Sequence, residues 1–342
     1  MLFSIYPTDS PQTRERVVAQ ASAQTAEQLV FTSFHIPEAE GLLRYGAYLQ
    51  ALHRDRGLTF CGDVSPGTLD ALGVGIDELG LLREWGVTCL RIDYGFGPEQ
   101  IRRIAASGDY AIAVNASTAD EALLESLAGL RVVGWHNFYP RPETGLTIDF
   151  YLVQNARFAE RGLDVYAFLP GEADFRAPLF AGLPTLEHQR HRNAWRNYLE
   201  LRTLSPDVKV VCAEGPLAEG HLRWIQHFDD AGEVTLPLTG VDPSVEFLRH
   251  RSWHLRVEDN EVSFRLEGTR EPRTPVRLLN ADQRSRGSLQ LDLEGYGRYR
   301  GELHLMRTDR PLTHLQVRVA EVADPYLGLV DCLSPGMVVR FE

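Results

Sequence analysis

The sequence lacks the features that mark membrane, secreted or nucleic-acid-binding proteins. No run of about 18 apolar residues occurs, so we expect no membrane-spanning helix. The first residues show no signal-peptide pattern, and we therefore expect a cytoplasmic protein. The net charge of −12 argues against nucleic acid or an anionic membrane as the main partner. An anionic small molecule remains compatible with this charge, because a few local arginines can bind it.

Paired cysteines are also lacking. The four cysteines are scattered along the chain, without a CxxC pair or the spacing of a zinc site: Cys61, Cys89, Cys212 and Cys332. We expect them to be buried thiols in a reducing compartment. The apolar share of 44% and the charged share of 24% are typical of a globular protein, and 342 residues suit about two domains.

A glycine-rich dinucleotide-binding fingerprint is absent, since Tyr6-Pro7-Thr8-Asp9-Ser10 follows the first strand-like run. Up to residue 235 strand-like runs alternate with helical stretches, one of which is Thr68–Trp85. The strand-like runs are Leu2–Tyr6, Gln28–Ser33, Leu58–Asp63, Val87–Asp93, Tyr110–Asn115, Arg131–His136, Asp164–Leu169 and Val208–Ala213. Eight such units predict an α/β fold, a closed (β/α)8 TIM barrel. A doubly wound open sheet is the alternative, which the missing fingerprint weakens.

The pattern changes after residue 235. Helical periodicity fades, and short β-rich runs such as Ser288–Leu293 and Gln316–Val319 are separated by Gly, Pro, Asn and Asp. We therefore predict a barrel domain over residues 1–235 and a small, mostly β domain over residues 240–342.

Polar side chains stand at nearly every predicted strand end. Because TIM-barrel active sites lie at the C-terminal ends of the strands, we expect these side chains to share one rim. The densest group is the stretch from His136 to Gly145, which two prolines stiffen. This stretch supplies His136, Asn137, Tyr139, Arg141 and Glu143, and the rest of the rim consists of His35, Asp63, Arg91, Asp93, Asn115, Arg176, Glu187, His188, Arg190 and Glu214.

Some of these residues also have an ordinary structural explanation. Asp63 could organise the turn before Ser65-Pro66, and Arg91 with Asp93 could form an ion pair at the rim. The run Asn115–Thr118 could cap a helix. The rim as a whole favours a bound polar ligand, because structural needs alone rarely place acidic, basic and amide groups at so many strand ends.

The chemistry of the rim suits a hydroxyl-rich, anionic ligand. Asn and Asp side chains hydrogen-bond sugar hydroxyls, and an arginine such as Arg141, Arg176 or Arg190 could form a fork on a phosphate or carboxylate. Two carboxylates could then cleave a glycosidic bond, one as the acid and one as nucleophile or base. Two alternatives remain open, a metal-dependent barrel enzyme such as a sugar isomerase or hydrolase, and a non-catalytic protein that binds sugar phosphates.

Several segments of the chain resemble a known bacterial family. They are Phe31–Glu38, Gly62–Pro66, Leu90–Phe96, Asn115–Thr118, His136–Leu146, Gly182–Arg190 and Gly295–Leu303. These segments resemble the 6-phospho-N-acetylmuramidases, in order and through both halves of the chain. The resemblance implies a TIM barrel followed by a cyclophilin-like β domain. It also implies cytoplasmic hydrolysis of the bond between N-acetylmuramic acid 6-phosphate and N-acetylglucosamine in cell-wall recycling.

The chemistry of the side chains, rather than the resemblance, suggests roles for the residues of the rim. The predicted catalytic pair is Glu143 and Asp93, with Asp63 and Glu187 as substitutes. Arg91 should keep Asp93 ionised as base or nucleophile, while Glu143 on its stiff loop should be the acid. The expected substrate-binding residues are His35, Arg91, Asn115, His136, Asn137, Tyr139, Arg141, Arg176, His188, Arg190 and Glu214. We expect a phosphosugar as the partner and no cofactor, and a homodimer stays open.

Overall fold

The structure is a computed structural model, and it describes residues 1–24, 28–35, 39–92, 95–276 and 281–342. Asp93 and Tyr94, at the predicted end of the fourth strand, lie outside the described residues. The chain divides into two compact units, Met1–Ala218 and Glu219–Glu342.

The first unit contains a closed barrel of parallel strands, which confirms the predicted fold class. Each strand pairs with the next one along the chain, and the eighth pairs with the first to close the ring. The strands are β1 (Leu2–Ser4), β2 (Leu29–Ser33), β3 (Thr59–Val64), β4 (Val87–Ile92), β5 (Ala111–Asn115), β6 (Val132–Trp135), β7 (Val165–Leu169) and β8 (Lys209–Cys212).

Helices follow these strands, and prolines mark several of their starts. Pro11, Pro66 and Pro98 each stand in the first turn of a helix, where the N–H that proline lacks has no partner within the helix. The predicted helix Thr68–Trp85 is two helices, because Gly73 takes a left-handed conformation with φ of 67° and ends the first. The helices are α1 (Pro11–Ser22), α2 (Ala39–Arg56), α3 (Pro66–Leu72), α4 (Gly80–Glu84), α5 (Pro98–Gly108), α6 (Glu121–Ser126), α7 (Ile148–Ala159), α8 (Ala194–Leu204) and, in the second unit, α9 (Glu219–Ala231). Within the described ranges, no helix has the length and apolar character needed to cross a membrane.

Aromatic rings fill the interior of the barrel. The ring centroid of Phe168 lies 5.2 Å from that of Phe31 and 5.1 Å from that of Phe138. Trp135 stacks on Tyr166 with ring centroids 4.1 Å apart. Because the interior is a packed core, a ligand of the barrel has to bind at the strand ends.

The second unit is rich in β structure, as predicted. A five-stranded sheet has the order β10-β17-β14-β15-β12, and smaller sheets have the orders β11-β18-β9 and β13-β16. Its strands are β9 (Glu233–Leu236), β10 (Leu238–Thr239), β11 (Ser252–His254), β12 (Ser263–Arg265), β13 (Gln283–Arg284), β14 (Ser288–Asp292), β15 (Leu303–Met306), β16 (Arg310–Pro311), β17 (Gln316–Val322) and β18 (Val338–Phe341). The short segments β9, β10, β13 and β16 have no counterpart among the predicted runs.

Candidate active site

Polar side chains lie at the C-terminal ends of four adjacent strands, on the side that faces the interior of the barrel. Side chains alternate along a strand, so a residue two positions after an interior residue points the same way. Four polar residues hold this position just after the interior core residues of β3 to β6: Asp63, Arg91, Asn115 and Asn137. Four residues selected from separate sequence segments are thus brought to one end of the barrel.

Asp63 is held by two side chains from neighbouring segments. Arg91 Nη1 donates a hydrogen bond to Asp63 Oδ1 over 2.8 Å, and His35 Nε2 lies 3.4 Å from Asp63 Oδ2. Arg91 also donates through Nη2 to Oδ1 of Asn137. The side chains of Asp63 and Arg91 are only 8% and 4% exposed. The carboxylate and the amide are therefore oriented by one buried guanidinium.

Asn115 both lies at this rim and shapes the turn that follows β5. Its Oδ1 accepts a hydrogen bond from the backbone N–H of Ser117 over 3.0 Å, an arrangement typical of an Asx turn. The helix cap expected from this run is not formed, because α6 begins after Asp120 and the Asp120 side chain caps it; the Asn115 oxygen organises the turn after β5 instead. The residue remains half-buried.

His136 lies on the outer side of the barrel wall, away from the rim side chains. It is fully buried, with Nδ1 3.1 Å from Ser117 Oγ and Nε2 2.7 Å from Oδ1 of Asn155 on α7. Burial lowers the pKa of His136 to about 4, so the ring is neutral at neutral pH. With both nitrogens engaged, the histidine connects β6 to α7, and its placement does not favour contact with a ligand.

Glu187 and Arg190 lie in the loop after β7 and form a clamp that holds the loop after β6. Arg190 donates to Glu187 through Nε at 2.7 Å and through Nη2 at 2.6 Å, and its Nη1 donates to the carbonyl oxygens of Tyr139 and Gly182. The backbone N–H groups of Glu143 and Gly145 donate to the same carboxylate. Hydrogen bonds from Arg190 and from these amides lower the pKa of Glu187 to about 2. This ion pair therefore stabilises the conformation of the loop after β6.

The clamped loop presents three of the predicted site residues. Glu143 is exposed and has a φ of 68°, which is uncommon outside glycine and persists only where surrounding contacts impose it. Arg141 is also exposed, whereas Tyr139 is half-buried and burial raises the pKa of its hydroxyl. An ordered loop therefore carries the Glu143 carboxyl group.

Glu143 also lines an open groove with a volume of about 710 Å³. Thr147, Asp149, Glu187 and His188 line it as well, and His188 Nε2 lies 2.7 Å from Oε2 of Glu200 on α8. The cluster around Asp63 does not line this groove. Of the predicted site residues, Glu143, Glu187 and His188 therefore share this groove.

Glu214 and Arg176 lie together where the loop after β7 meets the end of β8. Glu214 is fully buried, and its Oε2 accepts the backbone N–H of Arg176 over 2.7 Å. Burial raises the pKa of Glu214 to about 7. The guanidinium carbon of Arg176 lies 3.4 Å from the centre of the Tyr6 ring. Tyr6 was not among the predicted site residues, although it follows Ser4 of β1 by two positions and the alternation rule indicates it.

Three possible metal ligands lie close together in the second unit. Asp292, Glu302 and His304 offer atoms within 4.8 Å of one another, the one such group among the residues the structure describes. Both oxygens of Glu302, however, accept hydrogen bonds from Arg265, and Arg270 donates to one of them. These arginines balance the carboxylate charge, so the group is an ion-pair network.

Comparisons with known proteins place the chain in a family. Residues 3–226 match the N-terminal domain of 6-phospho-N-acetylmuramidase, and residues 241–342 match its C-terminal domain. A conserved protein of unknown function from Enterococcus faecalis is 27% identical with a TM-score of 0.82, over 100% of this chain and 96% of that one. An uncharacterised B. cereus protein is 21% identical with a TM-score of 0.78, over 100% and 98% of the two chains. No curated protein matches. The chain therefore belongs to the 6-phospho-N-acetylmuramidase family and is a glycosidase.

Proposed function

We propose that the protein hydrolyses the glycosidic bond between N-acetylmuramic acid 6-phosphate and N-acetylglucosamine, in the cytoplasm and as a step of cell-wall recycling. Membership of the family supports a phosphosugar as substrate. We locate the reaction at the C-terminal rim of the barrel, where barrel enzymes bind substrate. The main support for this location is the buried cluster of Asp63, Arg91 and Asn137. A carboxylate and an amide fixed by one guanidinium suit a sugar ring with its hydroxyl groups.

Asp63 is our candidate for the base or nucleophile among the described residues. Its carboxylate is bonded to Arg91, which balances its charge and fixes its direction. Asn115, Asn137 and His35 stand beside it as donors and acceptors for sugar hydroxyls. Asp93, the alternative for this role, lies outside the described residues and is tested in parallel.

Glu143 is our candidate for the acid. Glu187 holds its backbone N–H, so the exposed carboxyl group belongs to an ordered loop at the end of β6. Glu187 suits this role less well, because the pKa of about 2 that Arg190 imposes leaves it without a proton to donate at neutral pH. We accordingly assign Glu187 and Arg190 to the positioning of the loop.

The test is turnover of a chromogenic glycoside of N-acetylmuramic acid 6-phosphate beside its unphosphorylated twin, with and without a chelator. We expect cleavage of the phosphorylated compound alone, unaffected by the chelator. The variants Asp63→Asn, Asp93→Asn and Glu143→Gln are compared with Glu187→Gln in the same assay. Failure of the wild-type protein to cleave either compound would overturn the proposed substrate, and near-normal turnover by Glu143→Gln would overturn the acid.

The cellular part of the proposal has its own test. Cells that lack the protein should accumulate the phosphorylated disaccharide in the cytoplasmic fraction, and the protein itself should be recovered there. Recovery of the protein outside the cell, or unchanged disaccharide levels, would contradict it.

A further inference from the structure

The loop after β7 is fastened to β8 by close backbone contacts. A Cβ at Gly171 would stand 1.9 Å from the carbonyl oxygen of Glu214, and one at Gly215, where φ is 61°, would stand 2.0 Å from that of Ala173. Only glycine fits at such distances. The hydrogen bond from the Arg176 N–H to Glu214 closes the same contact. The backbone of Arg176 is therefore fixed against β8.

The same loop is also held from helix α1. Asp174 Oδ2 accepts a hydrogen bond from Thr13 Oγ1 over 3.0 Å and lies 3.3 Å from Nη1 of Arg16. Gly171 and Asp174 thus hold the loop against two neighbouring segments, the end of β8 and helix α1. A binding residue is placed precisely only when its surroundings are held in this way.

The guanidinium of Arg176 is placed by stacking and keeps its donors open. It lies 3.4 Å above the ring of Tyr6, whose hydroxyl donates to the Ala213 carbonyl over 2.8 Å and whose N–H donates to Asp9. Throughout the described part of the chain, no side-chain nitrogen of Arg176 forms an ion pair or hydrogen bond. A ring-stacked guanidinium directs its N–H groups sideways, where an oxyanion can accept two of them.

Other arginines predicted at the rim are placed differently. Arg91 is bonded to Asp63 and Asn137, and Arg190 is bonded to Glu187 and to backbone carbonyls. Arg141 is exposed on the clamped loop. Arg176 therefore combines a fixed position with open donors.

We propose that Arg176 binds the phosphate group of the substrate and thereby selects phosphorylated sugars. This inference rests on the proposed function. The loops after β7 and β8 frequently form the phosphate site of TIM-barrel enzymes, and Arg176 stands where these two loops meet in this protein. Burial raises the pKa of Glu214 beside it to about 7, which weakens the repulsion that this carboxyl group exerts on a bound phosphate at neutral pH.

The test compares kcat and KM of Arg176→Gln and the wild-type protein on chromogenic glycosides of N-acetylmuramic acid 6-phosphate and of N-acetylmuramic acid. We expect Arg176→Gln to raise KM for the phosphorylated glycoside about 10- to 100-fold, with a small change in kcat, and to remove most of the preference for phosphate. An unchanged preference, or an equal loss on both glycosides, would overturn the assignment. Loss of the preference in Arg141→Gln with Arg176→Gln unaffected would overturn it as well.

A matched control is Arg83→Gln, since Arg83 also stacks on a tyrosine, Tyr110, with 5.5 Å between its guanidinium carbon and the ring centre. It should leave both glycosides unaffected. Calorimetric binding of N-acetylmuramic acid 6-phosphate, with N-acetylmuramic acid as comparison, separates the two proposals. Binding that needs the phosphate and Arg176, without turnover by the wild-type protein, would overturn the proposed reaction and support this inference.

Discussion

Arg91 Nη1 lies 2.8 Å from Asp63 Oδ1, and the two residues are direct partners in the pairing of β3 with β4. Both side chains are almost completely buried. Removing one member of a buried ion pair strands the charge of the other, which costs about 3–5 kcal/mol. The pair therefore links the proposed chemistry of Asp63 to the stability of the barrel, and a suitable substitution can separate the two.

Asp63→Asn is predicted to abolish most turnover while the fold is retained. The amide oxygen can still accept the hydrogen bond from Arg91, but it cannot act as base or nucleophile. We expect kcat to fall by about 10²–10⁴-fold, measured on the phosphorylated chromogenic glycoside, and thermal unfolding to remain a single transition at a lower temperature.

The control for this substitution is Asp70→Asn, which changes the same residue type at an exposed position of α3. It should leave both kcat and the unfolding temperature unchanged. A folded Asp63→Asn protein with wild-type kcat would remove Asp63 from the mechanism and leave Asp93 as the remaining candidate.

Arg190→Gln is predicted to loosen the loop that carries Glu143. The arginine is nearly fully buried and donates to Glu187 and to three backbone carbonyls. Its loss should lower the free energy of unfolding by about 3 kcal/mol. It should also make residues 139–146 sensitive to proteolysis, which mass spectrometry of the fragments can locate.

Arg192→Gln is the matched comparison, because Arg192 makes a longer contact of 3.4 Å with Glu200 and is partly exposed. We expect it to change the unfolding free energy by less than about 1 kcal/mol. Equal protease resistance of the wild-type loop and the Arg190→Gln loop would show that the clamp is dispensable.

Sequence periodicity sufficed for the barrel and for part of the rim. Asp63, Arg91 and Asn115 stand at or near the ends of nearly continuous apolar runs, so their strands could be predicted, and the alternation of side chains along a strand gives their direction. The alternation of side chains along a strand also explains why His136 does not lie at the rim with the other polar residues of its segment. It directly follows the interior residue Trp135 and therefore points to the opposite side of the wall.

Long-range contacts explain what the sequence did not reveal. The clamp joins Glu187 to Glu143, 44 residues away in the sequence. Nothing in either segment indicates that the Glu187 carboxylate accepts hydrogen bonds from the backbone N–H groups of Glu143 and Gly145. The stacking of Arg176 on Tyr6 likewise joins the loop after β7 to the segment that follows β1. Roles assigned by residue type alone cannot distinguish an arginine with occupied donors from one whose donors are open.

His136 is predicted to make the barrel sensitive to mild acid. Burial lowers the pKa of His136 to about 4, against 6.5 for an exposed imidazole, so the unfolded chain takes up a proton more readily than the folded one. The stability that the neutral ring contributes is present above pH 6.5 and is lost as the pH falls towards 4. In thermal unfolding between pH 7 and 4, His136→Gln should lose less stability than the wild-type protein.

An exposed histidine provides the reference for this experiment. His191 lies at the surface, and His191→Gln should follow the wild-type pH profile. Parallel profiles for His136→Gln and the wild-type protein would contradict the role assigned to the buried ring.

Glu214→Gln is predicted to stabilise the protein at alkaline pH and to have little effect in acid. Burial raises the pKa of Glu214 from 4.5 to about 7, so the folded state holds a proton that the unfolded state releases. The corresponding stability is fully present below pH 4.5 and is lost as the pH rises through 7. A neutral glutamine keeps an oxygen for the Arg176 N–H without a buried charge. The unfolding temperature of the variant should therefore exceed that of the wild type by a margin that grows from pH 5 to pH 8.

Glu160→Gln, at an exposed position after α7, should show no such trend. A margin independent of pH would mean that Glu214 is ionised in the folded protein over this whole range, and the repulsion between it and a phosphate bound at Arg176 would then be at full strength.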